Sequence, residues 1–267
     1  MKPLSSYSRL ELDDVFWSVL RYIRSIKGIK KQGSLIDMIT TANQLLAGAT
    51  MIDLPENMNR LLQPYLVESD KQLDESLKLL RSEAEALSFC KTLGIEAGVT
   101  RTQSADHAQS SKSLDSAASH IASIVADELG LESDVNPQDR VVLSINGKLH
   151  VSARRIDGAI PGIANPLVIW ENKEYWGGGK GKQGGSKMSD AVYECHLVGL
   201  EIRHYESIAN CKVFHLVCID GREQWNARKS DLRRLIDLLN QGYIDELIVG
   251  KEIESQFELA LRSILAK

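Results

Sequence analysis

The sequence predicts an α/β protein: a mixed β-sheet flanked by helices and preceded by a helical region. Three observations lead there. Apolar residues recur at three- and four-residue spacing through the first third of the chain. Beyond Val141, short apolar runs typical of strands alternate with helical periodicity. Asn146-Gly147 stands between two alternating runs, a strong hairpin turn.

Taken in order, Val15 to Ile29 reads as a helix, and Ser34 to Leu46 as a second one behind a Ser34 cap. Pro55 and Pro64 punctuate. Ser69 to Phe89 is a long helical run with Leu73, Leu77, Leu80 and Leu87 near one stripe. The segment 98–113 is polar and reads as a linker between a helical region, 1–97, and a core, 114–267. In the core a helix is expected from Leu114 to Leu129, then a hairpin of Val141–Ile145 with Leu149–Ile156. A strand over Leu167–Glu171 and a glycine- and lysine-rich loop from Gly177 to Gly185 come next. A helix over Met188–Glu206, a buried strand over Cys211–Ile219 and a helix over Ser230–Leu239 follow. The reading ends with a strand over Glu246–Val249 and a helix over Glu252–Leu265.

The apolar fraction of 43% over 267 residues is enough for a sizeable core. The net charge of −4 means that contact with nucleic acid must come from a local basic patch rather than bulk attraction. Cys90, Cys195, Cys211 and Cys218 form no CxxC pair and no zinc-finger grouping, and read as reduced thiols. No apolar signal core opens the chain, and no segment approaches the roughly 18 apolar residues of a membrane helix. The expectation is a cytoplasmic protein without membrane contact.

The chemistry concentrates between Arg155 and Lys173. An apolar run, Leu167-Val168-Ile169-Trp170, ends in Glu171-Asn172-Lys173. Strand alternation turns Glu171 and Lys173 to one face and Asn172 to the other. Asp157 lies in a turn-rich segment upstream; if it neighbours this strand, two carboxylates and an ammonium converge. Phosphodiester hydrolysis needs an activated water and charge stabilisation on phosphorus, and a divalent metal held by carboxylates supplies both. Asp157 and Glu171 suit Mg²⁺, with Mn²⁺ able to substitute. Lys173 would then contact the phosphate or the attacking water.

In the preceding helix, Leu114, Ala117, Ala118, Ile121, Ile124 and Val125 form a stripe, and Glu128 falls within it. A carboxylate on an apolar face is costly unless paired or metal-bound, so Glu128 is a candidate third acid, against the plainer reading that it reaches solvent at the stripe's end.

These residues resemble the PD-(D/E)XK nuclease superfamily. Asp157 matches the first acid, with Ile156 in place of the motif's proline, and Glu171 and Lys173 match the (D/E)XK half. Glu128 matches an accessory acid of the first core helix. The resemblance spans roughly residues 114–250. It implies a restriction-endonuclease-like fold and Mg²⁺-dependent cleavage of double-stranded DNA, of the restriction or phage-defence type.

The loop after the site carries Lys180, Lys182 and Lys187 among glycines. No GxxxxGK[ST] register fits, so a P-loop is rejected; a basic clamp on the DNA backbone is the functional reading and a solubilising surface loop the plain one. Arg155, which shares a face with Asp157 by alternation, and Arg222, in the polar and aromatic stretch Gly221–Lys229, are further DNA-contact candidates. His196, His204 and His215 form no metal-ligand motif. Cutting both strands implies two sites, hence a homodimer. The alternatives are a catalytically silent nucleic-acid-binding module of the same fold, and a nucleotide-using α/β enzyme, against which the absent phosphate-loop register speaks.

Overall fold

A computed structural model describes residues 1–7, 10–56, 58–99, 110–177 and 185–266. The chain is mixed α/β and divides into two compact units, Leu4–Gln72 and Met1–Pro3 with Leu73–Lys267. The boundary falls earlier than the polar stretch 98–113, where composition placed it. The reason is packing: Phe89, Cys90 and Leu93 join the same apolar cluster as Leu114, Ala118 and Ile121.

The smaller unit contains α1 (Val15–Ser25), α2 (Ile29–Ala42) and a hairpin of β1 (Gln44–Ala47) and β2 (Thr50–Asp53). Asp14 caps α1 by accepting from the Phe16 N–H at 2.8 Å. Phe16 and Trp17 pack edge-to-face with Tyr65 over Leu20, Ile23, Ile39 and Leu62. Ser34 does not cap a helix. It lies inside α2, its hydroxyl donating to the Lys30 carbonyl. Asn43, in the left-handed region, ends α2 and turns the chain into β1, so Leu45 and Leu46 lie in a strand rather than in the expected helix.

Helix α3 (Met58–Leu79) runs through Pro64 without ending, and the division between the units falls within it. The leucine-rich run expected to be one helix to Phe89 stops at Leu79. Ser82 begins α4 (Glu83–Thr92) with a capping box: its hydroxyl accepts from the Glu85 N–H while Glu85 accepts from the Ser82 N–H. Between the helices, the Arg81 backbone N–H and Nε donate to the buried Asp220 carboxylate at 2.8 and 2.7 Å.

A short ladder, β3 (Gly98–Val99) with β4 (Ser111–Lys112), precedes α5 (Ser113–Glu128). The Asn146-Gly147 turn joins β5 (Val142–Ile145) to β6 (Lys148–Val151). Strand β6 stops short of the expected Ile156. The main sheet then follows: β7 (Gly158–Ile160), β8 (Val168–Glu174), α6 (Gly185–Ala209), β9 (Phe214–Asp220), α7 (Arg222–Ala227), α8 (Lys229–Gln241), β10 (Glu246–Val249), a 3₁₀ turn at Gly250–Glu254 and α9 (Gln256–Leu265). Its strand order is β10-β9-β8-β7, parallel except for β7 against β8. A parallel β8–β9 pair needs a crossover, which α6 provides.

The two faces of β8 are cleanly assigned. Val168 and Trp170 enter the cluster of α5 and α9, with Phe257 edge-on to Trp170. Ile169 enters the other cluster, with Val198, Ile202 and Tyr205 of α6. The apolar stripe of α6 covers that second face, where β8 changes from Ile169 to Glu171 and Lys173. Among the described residues, no helix is long and apolar enough to cross a membrane.

Candidate active site

Strand β8 has seven residues, so Glu171 and Lys173 lie within it rather than at its frayed end. Both are buried, Glu171 at 1% and Lys173 at 6% exposure, on the face covered by α6. The Lys173 ammonium lies 2.6 Å from Glu171 Oε2 and 2.9 Å from Glu194 Oε2 of α6. Glu194 Oε1 in turn meets Arg154 Nη1 at 2.5 Å. On β9, His215 pairs in register with Ile169, and its Nε2 is 3.5 Å from Glu171 Oε1. Its Nδ1 is 3.0 Å from the Tyr243 carbonyl, a contact that requires the ring proton on Nδ1.

Asp157 reaches the same place from β7. Its N–H donates to the Trp170 carbonyl at 3.2 Å, and its Oδ2 accepts from the Asn172 N–H at 2.7 Å. The register pairs Gly158 with Trp170, so continuing it sets Asp157 opposite Glu171. The carboxylate thus extends the ladder one step before β7 begins. Gly158 is required there: a Cβ would stand 1.9 Å from Cζ2 of Trp170.

The other face of β8 anchors α5. Asn172 Nδ2 donates to Asp115 Oδ1 at 2.9 Å. Glu174 Oε2 accepts from the Leu114 N–H at 3.0 Å and from Trp176 Nε1 at 3.1 Å, capping the helix from the strand.

The electrostatics follow from burial and pairing. Burial opposes charge on Glu171, but the adjacent Lys173 ammonium, with His215, outweighs it and draws the carboxyl down to about 2. Burial also opposes the Lys173 charge, and Glu171 beside it holds the ammonium above the usual lysine value. Asp157 is pushed up by burial, which Lys173 and the Asn172 N–H do not fully offset. Burial raises Glu194 less than the Arg154 hydrogen bond and the Lys173 charge lower it. On the opposite face, burial lifts Glu174 to about 8 despite the backbone donor from Leu114.

The residues suit one kind of metal and not another. Among the described residues, no group of three or more His, Cys, Asp and Glu is arranged to hold an ion. Asp157 and Glu171 are two carboxylates, the number Mg²⁺ uses when it keeps its waters. Among the described residues neither Glu171 oxygen has a hydrogen-bond partner; Lys173 at Oε2 and His215 at Oε1 make ion-pair contacts without hydrogen-bond geometry. Buried carboxylate oxygens with charge contacts but no hydrogen-bond donor in geometry have lone pairs that an added cation fits.

The structure therefore brings Asp157, Glu171 and Lys173 together. It does not bring Glu128 with them. That side chain is exposed at the far end of α5 and pairs with Arg262 of α9 at 2.5 Å. The α5 acid that reaches β8 is Asp115, on the strand's other face, thirteen residues earlier and about 20 Å along the helix axis. Arg222 is also engaged elsewhere: it lies in the first turn of α7 rather than in a base-reading loop, with Nη2 2.6 Å from Glu85 and Nε donating to the Leu80 carbonyl. Arg155 is exposed beside Arg154, and Lys187 is exposed in the first turn of α6. Lys180 and Lys182 lie outside the described residues. Asp115, Arg154 and Glu194 were not singled out from the sequence for this site. For Glu194 a signal existed: a carboxylate three residues after Ala191, beside the buried stripe of Val192 and Cys195.

A family described as a domain of unknown function (DUF7687) matches residues 71–264, a span that begins close to Leu73, where the larger unit begins. Among curated proteins and among solved structures, nothing matches the chain.

Proposed function

The chain belongs to the DUF7687 family, and we propose that it is a Mg²⁺-dependent DNA endonuclease of the restriction or phage-defence type, with a restriction-endonuclease-like core. The observation that carries this reading is the register that sets Asp157, just before β7, opposite Glu171 of β8, whose carboxylate is paired with Lys173. A structural ion pair explains Glu171 with Lys173. It does not account for the second carboxylate, Asp157, set opposite Glu171 at the edge of the ladder, where Oδ2 accepts the Asn172 N–H.

In this reading Asp157 and Glu171 would hold Mg²⁺, which when bound would acidify a water and polarise a phosphoryl oxygen. Lys173 donates to a non-bridging phosphate oxygen and balances the charge gathering there. Water oxygen bonds to phosphorus, one P–O ester bond breaks, and the departing oxygen takes a proton, leaving a phosphomonoester and an alcohol. Glu194 fixes the ammonium from α6. Two such sites in a homodimer cut the two strands of a duplex, in the cytoplasm, where restriction-type DNA cleavage takes place.

The test is incubation of purified protein with plasmid and phage DNA in Mg²⁺, with EDTA and Asp157→Asn and Lys173→Met variants as controls. Cleavage lost in all three controls while thermal melting shows folded variants is the expected result. Wild-type protein that leaves both DNAs intact in Mg²⁺ and in Mn²⁺ would count against the reading.

A further inference from the structure

We infer that the open cleft lined by Arg140, Arg154 and Arg155 is a docking groove for the phosphate backbone of a nucleic acid, and that a docked phosphate takes Arg154 from Glu194. This rests on the nuclease reading for the identity of the polyanion.

Three arginines converge on a single cleft beside the β5–β6 hairpin, together with Gln138 and one acid, Asp139. Arg140 and Arg155 are exposed, and among the described residues neither makes an ion pair. Arg155 is tethered by donating from Nη1 to the Gln138 carbonyl at 3.4 Å, which keeps its guanidinium at the cleft wall. Arg154 is half-buried and belongs to two systems at once, since it lines the cleft and meets Glu194 Oε1 at 2.5 Å. A second carboxylate, Glu201, accepts from the Ala153 N–H and closes the inner side, so the segment 153–155 is held by α6 on one side and open on the other. The result is a local cationic surface on a chain of net charge −4, the condition under which an acidic protein can hold a polyanion.

Arg154 makes the groove more than a patch. Glu194 Oε2 is the second anchor of Lys173 at 2.9 Å. A phosphate that draws the Arg154 guanidinium toward the cleft leaves Glu194 to Lys173 alone. Arginine forks match phosphate oxygens in pairs, so this exchange keeps Arg154 charge-paired throughout. Occupation of the groove is thereby signalled to the ammonium through one side chain.

The counterion slope of about 0.9 per neutralised phosphate makes each arginine contact worth about eightfold in affinity near 0.1 M salt. The experiment is fluorescence anisotropy with a labelled duplex in EDTA, where cleavage is suppressed, over a salt series. Wild-type protein, Arg140→Glu/Arg155→Glu and Arg140→Lys/Arg155→Lys are compared, with thermal melts to confirm folding. The expected result is a loss of about 60-fold or more in the Glu pair, a salt slope lower by about two, and near-wild-type binding in the Lys pair. Unchanged affinity in the Glu pair would overturn the groove even if Mg²⁺-dependent cleavage is seen. Equal, arginine-dependent binding to phosphatidylserine vesicles would overturn nucleic acid as its occupant. Arginine-dependent duplex binding by a protein that never cleaves would uphold the groove and sink the nuclease reading alone.

Discussion

Glu194 on α6 holds Lys173 Nζ at 2.9 Å with one carboxylate oxygen and Arg154 Nη1 at 2.5 Å with the other. The lysine that follows Glu171 on β8 is therefore positioned by the helix packed over it as well as by its own strand. Glu194→Gln keeps an acceptor and removes the charge. The side chain is partly exposed, so stability should change by no more than about 1 kcal/mol. On the proposed nuclease reading, the phosphodiesterase rate under single-turnover conditions should fall by about tenfold, because a small displacement of the ammonium assigned to the phosphate would be expensive. An unchanged rate would show that Glu171 alone places the ammonium.

The Glu171–Lys173 pair gives a test of metal binding that does not depend on turnover. Lys173→Met leaves Glu171 buried without its cation, which should lower stability by about 3–5 kcal/mol in EDTA. Mg²⁺ should then restore part of the loss, about 2.7 kcal/mol at a hundredfold excess over its dissociation constant. The double variant Glu171→Gln/Lys173→Met should lose most of that Mg²⁺ response. Chemical denaturation of both variants with and without Mg²⁺ decides it, and an equal response in the two would argue that Glu171 is not a ligand.

The opposite face of β8 predicts a pH effect. Burial lifts Glu174 from the ordinary carboxyl value of 4.5 to about 8 in the folded chain. The folded state then binds more protons than the unfolded one between these values, so its stability falls as pH rises through that window. The slope has a ceiling of about 1.4 kcal/mol per pH unit. Glu174→Gln keeps an acceptor for the Leu114 N–H and should flatten this part of the profile. Urea unfolding from about pH 4.5 to 8.5 measures both proteins. A wild-type profile that rises across the window would mean that the N–H groups of α5 keep the carboxylate charged.

Much of this architecture was readable because periodicity is a local property. The spacing of apolar residues located α1, α5, α6 and α8, and the runs ending at Trp170 and Ile219 located β8 and β9. Alternation placed Glu171 and Lys173 on one face. The failures share a cause, since each depended on a partner distant in sequence. Strand β7 is three buried residues, Gly158-Ala159-Ile160, beside glycine and proline, with too little length to show a period. The break at Leu80–Ser82 interrupts an unbroken leucine stripe because Asp220, far along the chain, takes the Arg81 N–H. Glu128 has an angular position near the apolar stripe of α5, but a helical wheel carries no axial information. The helix end that meets β8 is the one with Asp115.

The last prediction concerns the residue that lets Asp157 reach its place. Gly158 pairs with Trp170, and a Cβ there would overlap the buried indole at 1.9 Å from Cζ2 and 2.1 Å from Cε2. Trp170 cannot yield easily, because Phe257 stands edge-on to it at 6.0 Å and Val168 and Leu216 fill the same cluster. Gly158→Ala must shift β7 instead, at a cost of about 1–3 kcal/mol or more. The shift carries Asp157 with it and lengthens the contact between its Oδ2 and the Asn172 N–H. The expected outcome is a lowered denaturation midpoint together with, on the proposed nuclease reading, a loss of phosphodiesterase activity larger than the unfolded fraction accounts for. Titrating activity against the folded fraction separates the two effects. Activity that tracks the folded fraction alone would mean that Asp157 tolerates displacement and takes no part in the chemistry.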